Sequence, residues 1–89
     1  MNPLTPKPVP VRRVTLYSRP GCHLCEDAKA VVARVARTHA LELCEIDISG
    51  DPDLERQYGH DIPVVAIDGR VVARHRITDA DLVSRLCAP

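Results

Sequence analysis

The strongest constraint on this chain is a short apolar run, Val14-Thr15-Leu16-Tyr17, broken by Ser18-Arg19-Pro20-Gly21 and followed at once by Cys22-His23-Leu24-Cys25. Leu24, Ala28, Val31, Val32 and Val35 then recur at helical spacing, which predicts a strand over residues 11–17 and a helix over residues 22–38. Glu26 and Asp27 fall in the first turns of that helix and Arg34 and Arg37 in its last, as the helix dipole favours. Two thiols therefore sit where a helix begins. Backbone N–H groups there have no partner inside the helix and favour negative charge. A thiolate is stabilised by that field, and the thiolate is the reactive form of cysteine. A C-x-x-C in this setting points to thiol–disulfide exchange.

The rest of the chain continues the alternation. Residues 41–48 carry hydrophobics with no helical period and read as a second strand. Asp51 reads as an N-cap with Pro52 at the first helical position. Leu54 and Tyr58 share a face of this short helix, and Gly59 terminates it. Pro63 starts a third strand, Val64-Val65-Ala66-Ile67, and Asp68-Gly69 is a two-residue hairpin signal leading into a fourth over residues 70–74. Thr78 with Asp81 resembles a capping box, and Leu82, Val83 and Leu86 give a last helix its apolar face. The order β-α-β-α-β-β-α is an α/β arrangement. Its first two strands are expected to be parallel and its last two an antiparallel hairpin.

Eighty-nine residues suit one small domain. With two tyrosines and no Phe or Trp, its core must be built from Val, Leu, Ile and Ala. Twelve basic and twelve acidic side chains cancel, which removes the electrostatic reason to expect nucleic acid or an anionic membrane as partner. No apolar run approaches the ~20 residues of a membrane span. Residues 1–10 hold four prolines and no apolar signal core. They read as a flexible lead before a domain at residues 11–89, and the expected location is the cytoplasm. Four cysteines are too few for a disulfide-built secreted domain; in a reducing compartment C-x-x-C means redox or metal chemistry.

Taken in order, Tyr17-Ser18-Arg19-Pro20-Gly21-Cys22-His23-Leu24-Cys25, Ile62-Pro63 before the third strand and the Asp68-Gly69 hairpin resemble the glutaredoxin-like proteins of the thioredoxin superfamily, in particular its short bacterial members. The resemblance spans about residues 11–86. It implies a thioredoxin-like fold, a four-stranded mixed sheet with helices on both faces. It implies Cys22 as nucleophile, Cys25 as resolving thiol, and a redox disulfide between them. It implies a cis Ile62-Pro63 bond facing the cysteines, with the backbone of Ile62 pairing an extended substrate or glutathione. Arg19 stands where such proteins carry a cation for a glutathione carboxylate. The implied partners are a disulfide-containing protein or a small-molecule thiol. Glutathione or thioredoxin reductase is the implied electron source, no cofactor stays bound, and the chain is a monomer.

Three places depart from that pattern. His23-Leu24 replaces Pro-Tyr between the cysteines, and Asp61-Ile62 replaces Thr-Val before the proline. Ala73-Arg74-His75-Arg76 replaces a Gly-Gly whose amides take the γ-glutamyl end of glutathione. As modulators, an imidazolium at His23 would favour the Cys22 thiolate, while Glu26 and Asp27 oppose it. Tyr17 either borders the site or packs. Cys44, in mid-strand, is expected to pack as a small hydrophobe, and Cys87 ends the last helix. A tetrahedral metal site needs four ligands, and Cys44 and Cys87 stand alone, so no metal is expected. Two other classes use the same residues: a copper or zinc carrier built on the C-x-x-C, and a redox-inert module that holds an extended peptide at Ile62-Pro63.

Overall fold

The computed structural model describes residues 11–87; the proline-rich lead expected over residues 1–10 lies outside them. Seven elements follow in order: β1 (Arg12–Ser18), α1 (His23–Val35), β2 (Leu41–Asp47), α2 (Pro52–Tyr58), β3 (Val64–Ile67), β4 (Arg70–Arg74) and α3 (Asp79–Cys87). They build one four-stranded sheet in the order β2-β1-β3-β4. β1 and β2 are parallel, while β3 runs antiparallel to both β1 and β4. The fold is thioredoxin-like.

Period-2 alternation divides each strand between two faces. Val14 and Leu16 of β1 and Val65 and Ile67 of β3 point to one face, where they meet Ala28, Val31, Val32 and Val35 of α1 and Leu82 and Leu86 of α3. Tyr17 and Val64 point the other way, into a smaller cluster with Ile48 and with Leu54 and Tyr58 of α2. Both aromatic residues lie on that second face, so the larger core is wholly aliphatic. In β4 the register shifts. Val65 pairs with Ala73 and Ala66 with Val71, leaving Val72 as an extra residue. This bulge sends both Val72 and Ala73 toward the first cluster and Val71 toward the second.

The turns follow from their residues. Asp68 and Gly69 both have positive φ, 49° and 85°, which is the conformation a two-residue type I′ hairpin needs. Asp68 also ties the hairpin to β1. Its carboxylate accepts from the Arg13 N–H at 2.9 Å and from Arg12 Nε at 2.5 Å, and these bonds hold its pKa below the ordinary value. At α3 the Thr78 hydroxyl accepts from the Asp81 N–H at 3.0 Å, and the Asp81 carboxylate accepts from the Thr78 N–H at 3.3 Å. That is a reciprocal capping box.

Three expectations are corrected, and a fourth is borne out with an added reason. β1 runs one residue later than residues 11–17. α1 stops at Val35 rather than residue 38, because the Arg37 and Thr38 N–H groups turn back three residues to Arg34 and Val35. Gly59 ends α2 as expected, as its C-cap, with right-handed angles, φ −54° and ψ −34°, and a Cβ there would collide with the Glu55 carbonyl oxygen. Cys44 is exposed, because β2 is an edge strand and its central residues are open to solvent, Leu43 reaching 36%.

Candidate functional site

Arg19-Pro20-Gly21-Cys22 closes with a bond from the Cys22 N–H to the Arg19 carbonyl at 3.3 Å. Gly21 takes φ 79° at the third position, where a type II turn requires it, and Pro20 suits the second. The turn delivers Cys22 to the N-cap of α1 in extended geometry, φ −91° and ψ 110°. Its Sγ accepts from the Cys25 N–H at 3.1 Å. Cys22 and Cys25 are joined as a disulfide with their Cα atoms 5.2 Å apart. Cys22 is partly exposed and Cys25 only 3% exposed. One sulfur is thus partly exposed at the start of the helix, where first-turn N–H groups have no partner within the helix, and the other lies one turn inside.

The other expected site residues are placed as follows. The Ile62–Pro63 bond is cis. Ile62 is half-buried and packs in the second cluster, as does Tyr17. Tyr17 stacks on Tyr58 with ring centroids 4.3 Å apart, and burial, then the neighbouring Tyr58, raises its pKa. Arg19 does not stand free. It forks onto the Glu55 carboxylate of α2, with Nε at 3.2 Å and Nη2 at 2.5 Å. His23 is exposed beside Cys22. Cys44 and Cys87 are free thiols on the surface. Among the described residues no group of three or more His, Cys, Asp and Glu is gathered to hold a metal ion, and no helix is long and apolar enough to cross a membrane.

One corner was not legible as a unit in the sequence. His75 has φ 68°, and the Arg76 N–H donates to the Arg74 carbonyl at 2.8 Å. The chain therefore makes a three-residue γ-turn about His75. The His75 N–H is shared by the carbonyls of Pro63 at 2.8 Å and Asp61 at 3.1 Å. The Asp61 carboxylate accepts from Arg74 at 3.0 Å and lies 3.7 Å from His75 Nε2. The amides at residues 75 and 76 are thus bonded within the chain, and side chains carry the charge at this corner. The only sequence signal was the basic run at residues 74–76.

Two hollows flank the first turns of α1. One, of 170 Å³, lies between Leu24, Asp27 and Ala28 on α1 and His75, Arg76 and Thr78. The other, of 190 Å³, lies on the β2 side between Ser18, Arg19, Pro20, Glu26, Glu45 and Asp47. Its Asp47 carboxyl is held below the ordinary range by hydrogen bonds from Ser49.

Residues 13–87 match the family Glutaredoxin-like domain (DUF836). A glutaredoxin-like protein, the YDR286C homolog of Dictyostelium discoideum, is 32% identical over 77 residues, covering 78% of this chain and 69% of that one. The uncharacterized protein Rv0508 of Mycobacterium tuberculosis is 30% identical over 63 residues, 65% of each chain. Among solved structures, protein Ne2328 of Nitrosomonas europaea superposes with a TM-score of 0.79 at 27% identity, over 94% of this chain and all of that one. Protein XcR50 of X. campestris superposes at 0.70 and 35% identity, over 85% and 99%. A malaria parasite thioredoxin-2 shares the fold alone, at 0.65 and 16% identity, over 85% and 81%.

Proposed function

Because this chain belongs to the glutaredoxin-like domain family, we propose that it is a dithiol–disulfide oxidoreductase working through Cys22 and Cys25. One observation carries the reading: Cys22 caps α1 with its sulfur accepting from the Cys25 N–H, bonded to a cysteine that solvent barely reaches.

The reduced protein acts in two steps. The Cys22 thiolate attacks a substrate disulfide. One substrate sulfur leaves as thiolate and takes up a proton, and the other stays bonded to Cys22. Cys25 then loses its proton and attacks Cys22 Sγ. The second substrate sulfur leaves as a thiol, and the Cys22–Cys25 disulfide forms. Two electrons pass from the dithiol to the substrate, and an external thiol donor, glutathione or a reductase-linked dithiol, returns them. Burial delays Cys25 by disfavouring its thiolate, so the exposed sulfur reacts first.

The test is reduction of a model disulfide by wild type, Cys22→Ser and Cys25→Ser, with glutathione and with thioredoxin reductase as alternative donors. Wild type should turn over with at least one donor, Cys22→Ser with neither, and Cys25→Ser only through a monothiol route with glutathione. Full activity without Cys22 would refute the assigned nucleophile.

A further inference from the structure

A groove of 280 Å³ runs between β4 and α3, lined by Arg74, Arg76 and Arg85 with Ser84 and Asp81. Arg76 and Ile77 line both this groove and the hollow beside Leu24 and Asp27 on α1, so the two form one trough. It leads from the turn after Cys25 along the exit of β4 to the outer face of α3. Three guanidinium groups face into its outer part. Arg74 spends one donor on Asp61; among the described residues neither Arg76 nor Arg85 makes an ion pair. Two carboxylates line the trough: Asp81, which caps α3, and Asp27 at its α1 end. The hollow on the other side of α1 carries the opposite sign: Glu26 and Asp47 make no ion pair among the described residues, Glu45 is paired with Lys29, and the single Arg19 is held by Glu55.

We infer that the trough receives an acidic segment of the disulfide-bearing protein that Cys22 attacks, an inference that rests on the function proposed above. Guanidinium groups bind carboxylates through paired N–H donors, and Arg76 and Arg85 have theirs to give. The groove of 280 Å³ and the adjoining hollow of 170 Å³ admit the acidic side chains of an extended segment, and their arginine lining differs from the mostly apolar walls of a cofactor or drug-sized pocket. Single-stranded nucleic acid needs aromatic platforms for its bases, and both tyrosines sit in the cluster on the opposite face of the sheet. The two hollows together set orientation. Acidic residues are attracted on the α3 side of the disulfide and repelled on the β2 side, so a partner with acidic residues on one flank of its cystine docks one way round.

The test uses three synthetic peptides with the same disulfide and acidic, neutral or basic flanks, reduced in a single turnover by the prereduced full chain. In wild type at low salt, kcat/KM for the acidic peptide should exceed that for the basic one by about fivefold to tenfold, and this ratio should approach one at about 0.5 M salt. The double variant Arg76→Glu/Arg85→Glu should invert the ratio, and Arg76→Gln/Arg85→Gln should erase it. A ratio does not respond to a general loss of folded protein. A wild-type ratio near one, or one unchanged in the variants, overturns the proposal. So does charge dependence confined to glutathione disulfide, which would make the ligand a small anion. If wild type reduces none of the peptides, the oxidoreductase reading fails, and the groove is judged by binding alone. Fluorescence anisotropy of the acidic peptide on Cys22→Ser/Cys25→Ser protein should then show binding that Arg76→Glu/Arg85→Glu abolishes; no binding, or binding indifferent to the variant, overturns the docking site.

Discussion

The starts of α1 and α2 are built on one plan with different atoms. Each follows a parallel strand, and each has a positive-φ glycine one residue before its N-cap, Gly21 at 79° and Gly50 at 81°. Each N-cap is extended, Cys22 at φ −91° and Asp51 at φ −110°. The Asp51 carboxylate accepts from two N–H groups, Asp53 at 3.1 Å and Leu54 at 3.2 Å; the Cys22 sulfur accepts from one. Aspartate is among the best N-caps, whereas sulfur is a weak acceptor. α1 therefore carries the poorer cap at the position where the proposed function places its reactive sulfur, and α2 carries the stronger one.

The sharpest way to break this contrast is to exchange roles. In Cys22→Ser a better acceptor takes the same position. Turnover should fall to the uncatalysed background. The reduced variant should nevertheless melt no lower than the reduced wild type, because serine is a preferred cap. A clear drop in melting temperature would mean that the sulfur stabilises α1 by more than the hydroxyl can replace. At the other junction, Asp51→Ala removes a cap with no part in the chemistry. It should cost about 1 kcal/mol, a drop of roughly 4–8 °C for a domain of this size, with turnover retained. An unchanged melting temperature would show that the Asp51 bonds contribute nothing net.

Much of this contrast could be read in the residues. Pro20-Gly21-Cys22 and Asp51-Pro52 carry local turn and cap chemistry, and the short apolar runs of β1 and β3 between turn signals mark them as strands. What stayed hidden depends on neighbours distant in sequence. Cys44 reads as a core residue until β2 is known to be an edge strand. Arg19 reads as a free cation until α2, 36 residues away, brings Glu55 beside it. His75 has no glycine to announce its positive φ; the carbonyls of Asp61 and Pro63 hold it there. The arginine groove requires β4 and α3 to be set side by side, which no local pattern states. Family resemblance supplied the cysteine roles, while the late hairpin, the final helix and Pro20-Gly21 before Cys22 already favoured redox chemistry over the metal carrier.

A smaller effect separates the two caps by ionisation. The Cys22 thiol of the reduced protein should titrate below the ~8.5 of a free thiol, because the first-turn amides favour its charged form. Thiolate absorbance against pH, compared between wild type and Cys22→Ser, reads this directly; a midpoint at or above the free-thiol value would remove the electrostatic basis of the assigned roles.

The smallest effect turns the same contrast into two pH windows. Asp47, which ends β2 on the way to α2, has its carboxyl below the ordinary 3.8, chiefly through the Ser49 hydrogen bonds. A depressed folded value stabilises fully above the unfolded value, and that stabilisation is lost as pH falls through the folded value. The melting-temperature advantage of wild type over Asp47→Asn should therefore shrink only below about pH 4. A depressed Cys22 has the same sign at higher pH: reduced wild type should gain on reduced Cys22→Ser as pH rises toward ~8.5. Buried Cys25, whose neutral form the fold prefers, begins to oppose this only above that value. If both differences moved in the acid window alone, the sulfur would be only a cap, and the distinction between the two helix starts would fail.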